Sequence, residues 1–194
     1  EVLLVLDASL SMKFDYDLDP ETEARILEME RAGPLGWLTG QLLAQRLMSS
    51  PGRDRIDVAK DALGAVVRNS PDDVTFGMLS FARCGPPRSH GTFPPSRRRA
   101  LLAEIAGVDL DNSTALADAL EAVPRHVEGG RSEDDPVNIV LVSDGRDSCG
   151  GDPCAAARAR KRRYPYAYVN VIGIGRGTRE LRCVAEATGG SFVE

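Results

Sequence analysis

Apolar positions fall in two rhythms along this chain. Short runs with little polar alternation occur at 2–6 (VLLVL), 74–81 (VTFGMLSF), 137–142 (VNIVLV) and 169–174 (VNVIGI), and a last one starts at 191–193. Such runs predict β-strands covered on both faces. Between them the spacing changes to three and four. After Asp54, an N-cap residue type, Ile56, Ala59, Leu63, Val66 and Val67 share one helical face. Leu101, Leu102, Ile105 and Val108 predict a second helix, and 115–123 (ALADALEAV) a third, entered from Thr114. A fourth spans 155–163 behind Pro153, and a fifth spans 180–187 and ends at Gly189-Gly190.

Strands that alternate with helices require crossover connections, hence a mainly parallel sheet. The fold class is α/β: a Rossmann-like, doubly wound, mostly parallel central sheet with helices on both faces. One antiparallel edge strand is expected in the SHGTF region after Cys84. The stretch 12–53 breaks the alternation. It carries no strand signal, and Asp19-Pro20-Glu21 opens a helix that Gly33-Pro34 closes. A second helix follows with Leu35, Leu38, Leu42 and Leu47, weakened by Gly36 and Gly40, before a loop at 49–52. We read 12–53 as a helical insertion in a single domain spanning 1–194, and the chain as a domain cut from a longer protein.

Composition narrows the function. The chain has 194 residues, 42% apolar and 27% charged, ordinary values for a globular domain. A net charge of -5 and 5% aromatics give no support for nucleic acid as a partner, and no apolar run is long enough to span a membrane. The basic run 158–163 (RARKRR) reads as a solvated helix C-terminus. The segment 173–177 (GIGRG) lacks dinucleotide-loop spacing and reads as a tight connection. Asp15, Asp17 and Asp19 imitate the start of a calcium loop, but Pro20 and Ile26 occupy the positions of its glycine and glutamate. That leaves an acidic loop with a helix cap.

The first strand ends in Asp7, and Ser9 and Ser11 follow at alternate positions. The segment DNSTALADAL supplies Thr114, and VSDG places Asp144 at the end of a later strand. Ligands of open parallel sheets bind beyond such strand ends. Together with the RIDVAKDAL helix and the closing LRCVAEATGGSFV, these segments resemble the von Willebrand factor type A domain, in particular its bacterial members. The resemblance implies a metal-ion-dependent adhesion site, with Asp7, Ser9, Ser11, Thr114 and Asp144 as metal ligands. Magnesium is the expected ion, with manganese or calcium as alternatives. Two carboxylates balance a divalent cation, and three neutral hydroxyls leave it electrophilic. The implied function is a non-enzymatic protein–protein interaction or adhesion module whose cation captures an Asp or Glu of a partner protein. Two rivals stay open. One is a magnesium-dependent phosphoryl-transfer hydrolase, which would want a carboxylate where Ser9 stands. The other is a scaffold whose metal site the insertion closes.

The sequence departs from the family at Leu10, where glycine is usual between the serines, and in the long insertion leaving from Ser11. Neither His90 nor His126 lies near an obvious nucleophile segment, so no Ser-His-Asp set is suggested. Four cysteines permit disulfides, buried thiols or a zinc site. A Cys149–Cys154 bridge around GGDP is the favoured pairing, and an extracytoplasmic location follows from disulfide use.

Overall fold

The structure is a computed structural model of residues 1–194, describing all but Ser50, Pro51, Arg146, Arg176 and Gly177, and omitting the side chains of Pro20, Leu27, Glu30 and Arg31. Six strands form one sheet: β1 (Val2–Asp7), β2 (Phe76–Phe81), β3 (Arg88–Phe93), β4 (Val137–Ser143), β5 (Ala167–Gly173) and β6 (Phe192–Val193). Their order is β3-β2-β1-β4-β5-β6, parallel except for β3, which runs antiparallel to β2 at the edge. This is the expected architecture, with the edge strand in the expected segment.

Among the described residues the sheet is accompanied by seven α-helices, besides four short 3-10 turns: α1 (Pro20–Arg31), α2 (Pro34–Met48), α3 (Arg55–Asn69), α4 (Arg98–Ala106), α5 (Leu116–Ala122), α6 (Pro153–Arg163) and α7 (Arg182–Thr188). The central strands are buried on both faces, as their unbroken apolar runs require. Leu3 and Val5 of β1 pack with α5, α6 and α7 on one face, through Leu116, Leu120, Ala157 and Val184. Leu4 and Leu6 pack with α3 and α4 on the other, through Ile56, Leu63, Leu101 and Ile105. Strand β5 alternates buried and half-buried residues, because Ala167, Val169 and Val171 face α6 and α7 while the intervening side chains point to the less covered face.

Helices α1 and α2 form a hairpin with its own small cluster of Phe14, Ile26 and Ala44. Asp19 caps α1 by accepting from the Thr22 amide at 3.1 Å. The α2 glycines have a packing role that their low helix propensity conceals. A Cβ at Gly36 would stand 2.4 Å from the Met29 carbonyl oxygen, so its absence allows α2 to approach α1. The opposite side of α2 leaves Leu35, Leu38 and Leu42 exposed, with Trp37 also exposed. The loop expected at 49–52 falls partly outside the described residues, as does the connection at 173–177.

The favoured cysteine pairing is not observed. The disulfides are Cys84–Cys149 and Cys154–Cys183, with Cα separations of 5.4 and 5.6 Å. Cys154 lies in the first turn of α6, which packs on α7 where Cys183 sits. Asp147 accepts from the amides of Ala117, Cys149 and Gly151, which holds the Cys149 loop in place and leaves Cys149 to Cys84.

Candidate metal centre

Strand β1 delivers Asp7 to the carboxyl end of the sheet, where it is fully buried. The chain then turns sharply: the Ser9 amide donates to Asp7 Oδ1 at 2.9 Å. Ser143, the last residue of β4, donates its hydroxyl to Asp7 Oδ2. The Ser9 and Ser11 hydroxyls lie 3.0 Å apart, and Ser11 donates to Asp144 Oδ1 at 3.0 Å. Ser9, Ser11 and Asp144 therefore form a chain of side-chain oxygens, and Asp7 joins it through the Ser9 amide. Thr114 is placed through its backbone. The Asp111 amide donates to Ala8 at 2.8 Å, and Ser113 to Ala82 at 2.8 Å. Ser148 accepts from the Thr114 amide at 2.8 Å and donates its own amide to the Thr114 carbonyl at 2.9 Å. These bonds stitch 111–114 between the Ala8–Ser9 turn and the loop after Asp144.

The electrostatics are those of a site short of positive charge. Burial, and then the neighbouring Asp144 carboxylate, push Asp7 up to about 7, against the hydrogen bonds from Ser143 and Ser9. Asp144 is also raised by burial, although Arg55 opposes it. Arg55 opens α3 with a side chain only 1% exposed. Its Nη1 donates to Asp144 Oδ2 at 2.8 Å, and its two terminal nitrogens donate to the Glu23 carboxylate of α1 at 3.2 and 2.7 Å. Burial works against the Arg55 charge, yet its two carboxylate partners hold it above its ordinary value. With both aspartates ionised, Asp7, Asp144 and Glu23 against Arg55 leave two negative charges, the complement of one divalent cation.

Sequence reasoning missed Arg55, Glu23 and Ser143. An arginine at a helix start reads as a surface residue, and only its near-complete burial marks it as part of the site. Helix α1 meets the site through Glu23, by way of Arg55, in a contact that its sequence does not announce. Among the described residues no group of three or more His, Cys, Asp or Glu is arranged to hold a metal. The candidate donors here are two carboxylates and three hydroxyls, all hard oxygens that suit magnesium. The alternate aspartates of the insertion serve turn and cap chemistry, with Asp15 accepting from the Asp17 amide at 2.8 Å. The basic run is not uniformly solvated: Arg160 is only 5% exposed.

With this geometry in view, the comparisons with known proteins agree on the class. The von Willebrand factor type A domain profile matches residues 46–146. The chain belongs to that family. A curated relative, the uncharacterized protein YwmD of Bacillus subtilis (strain 168), is 27% identical over 158 residues, covering 73% of this chain and 70% of its own length. An aerotolerance-related membrane protein from Bacteroides fragilis NCTC 9343, solved with multiple mutations to serines, superposes with a TM-score of 0.67 at 19% identity. That superposition covers 100% of this chain and 90% of that one. Proximal thread matrix protein 1 from the mussel byssus, solved with a zinc-occupied MIDAS motif, superposes with a TM-score of 0.58 at 17% identity, over 99% of this chain and 40% of that one. At these identities the two structures speak for the fold.

Proposed function

We propose that this domain is a metal-dependent interaction module of the bacterial type, with a metal-ion-dependent adhesion site built from Asp7, Ser9, Ser11, Thr114 and Asp144. The observation that carries the reading is the hydrogen-bonded run from buried Asp7, by way of the Ser9 amide, through the Ser9 and Ser11 hydroxyls to Asp144. Its two uncompensated negative charges give the same result by a different route. A divalent cation, magnesium by preference, supplies Lewis acidity toward a carboxylate of a protein partner. The chain's own residues do the rest: the hydroxyls of Ser9, Ser11 and Thr114 donate neutral oxygen, and Asp7 and Asp144 supply charge. Arg55 occupies Asp144 Oδ2 and so turns Oδ1 toward Ser11. We read residues 12–53 as an insertion that reaches the site through Glu23. Two disulfides fit an extracytoplasmic location.

Calorimetric titration of the metal-stripped domain with magnesium, manganese and calcium tests the reading. One site is expected, weakened at least tenfold by Asp7→Ala and by Thr114→Ala. Heats that are unchanged in both variants would overturn it. A second titration, with an acidic peptide into the cation-loaded protein, tests partner capture. Binding should vanish on chelation, and peptide binding that survives chelation removes the cation from the interaction.

A further inference from the structure

A second constellation lies on the other side of the Ala8 turn. Ser80 of β2, His90 of β3 and Glu104 of α4 stand in line. Ser80 Oγ is 2.8 Å from His90 Nε2, and His90 Nδ1 is 3.2 Å from Glu104 Oε2. The tautomer that satisfies both contacts carries its proton on Nδ1 and leaves Nε2 to accept from the serine. A local irregularity creates the alignment. The β2–β3 register shifts between Met78 and Leu79, opposite Gly91, whose φ of 97° is a left-handed conformation. Bulges of this kind bend a strand and re-aim its side chains. Ser80 is 6% exposed and the His90 side chain 4%, and both line a cleft of about 380 Å³. That volume suits a small ligand. Arg83 and Arg88 line the same cleft, as do Asp109 and Asp111, and Arg83 is paired with Asp111.

We propose that Ser80, His90 and Glu104 form a nucleophile–base–orienting set that hydrolyses small carboxylic esters in this cleft, independently of the cation site. A nucleophile within hydrogen-bond reach of a base, itself held by a third group, is the signature of covalent acyl transfer. Ser80 Oγ attacks the carbonyl carbon as its proton passes to His90 Nε2. The acyl–oxygen bond breaks, and the leaving alcohol takes that proton. Water then attacks the acyl group on Ser80, with His90 accepting its proton and returning it to Ser80 Oγ as the carboxylic acid departs. Ester and water give acid and alcohol. Glu104 is a positioning residue that fixes the imidazole; Arg88 on the cleft wall supplies positive charge where the oxyanion develops, since Arg83 is already paired with Asp111.

The experiment is to treat the whole chain with a fluorophosphonate probe, with and without a chelator, and to follow p-nitrophenyl acetate hydrolysis. One adduct is expected, on the peptide containing Ser80, formed equally with and without the chelator. Labelling and burst should fall at least a hundredfold in Ser80→Ala and in His90→Gln. Glu104→Gln should lower kcat tenfold or more with KM unchanged. Absence of a Ser80 adduct on the folded chain overturns the proposal, as does hydrolysis that persists in Ser80→Ala. The His90→Gln variant decides the matter if Ser80→Ala proves unstable by circular dichroism. Because labelling is read without metal, its failure leaves the cation reading untouched.

Discussion

Two guanidiniums leave water on opposite faces of the sheet, and their surroundings differ completely. Arg55 of α3 meets two carboxylates, Glu23 of α1 and Asp144 just after β4. Arg160 of α6 has no hydrogen-bond partner on any of its three nitrogens, among the described residues. The difference appears in their acidities. Arg55 is held above its ordinary value, whereas burial lowers Arg160 to about 10. A buried charge with partners joins three segments of chain at one point. A buried charge without them only costs solvation, offset by packing of its aliphatic stem. The contrast separates a built site from tolerated burial, and it argues that the cluster at the end of β1 and β4 is more than strand-end turn chemistry.

The sharpest way to break the comparison is Arg55→Met. Removing the guanidinium leaves buried Asp144 facing the partly exposed Glu23 with no cation between them. A loss of about 3–5 kcal/mol is expected in urea unfolding of the metal-free domain. Added magnesium should recover part of it. A loss below about 1 kcal/mol would place Arg55 with Arg160.

The second test is pH. In the metal-free protein Asp7 titrates at about 7, against 3.8 for an ordinary aspartate. Between those values the folded state holds a proton that the unfolded state has released. Through Asp7 alone, stability must therefore fall as pH rises through that window, by at most about 1.4 kcal/mol per unit, and level off above it. Asp144 is raised too and steepens the same fall. Saturating magnesium should flatten the profile, and Asp7→Asn should remove Asp7's share of the slope. A metal-free stability that rises with pH over this range would refute the charge assignment.

Arg160→Met probes the other side. It keeps most of the stem and deletes an unpartnered charge, so a gain of about 1–2 kcal/mol is expected, with cation binding unchanged. A clear loss would mean that Arg160 has a polar role in the folded protein. The smallest effect is at the start of the same helix. Asp152 accepts from the Ala155 amide at 2.9 Å, and Asp152→Ala should cost about 1 kcal/mol without touching the Arg55 cluster. Hydrogen exchange on α6 would report it, and protection at Asp7 and Asp144 should stay the same.

The order of strands and helices was legible because each answers to local periodicity. Unbroken runs at β1 and β4 announced coverage on both faces, and 3.6-residue spacing announced α3. Asp7, Ser9, Ser11, Thr114 and Asp144 were legible as strand-end and helix-entry chemistry, and the structure places four of the five in direct hydrogen-bond contact. The cysteine pairing failed because loop length measures proximity along the chain. A disulfide depends instead on which elements pack together, here α6 on α7 and the Cys149 loop against the Cys84 loop.

By itself the sequence determined a doubly wound α/β sheet, an interrupting pair of helices and a candidate oxygen donor set. These follow from short-range spacing and side-chain type. Tertiary structure alone decided that Glu23 reaches the site through Arg55, that Ser80 meets His90 across a bulged edge, and that Arg160 is buried without a hydrogen-bond partner among the described residues. Each outcome turns on burial that is invisible in a linear pattern. Burial is also what converts a charged or polar side chain from a solvated surface group into one that must find a partner.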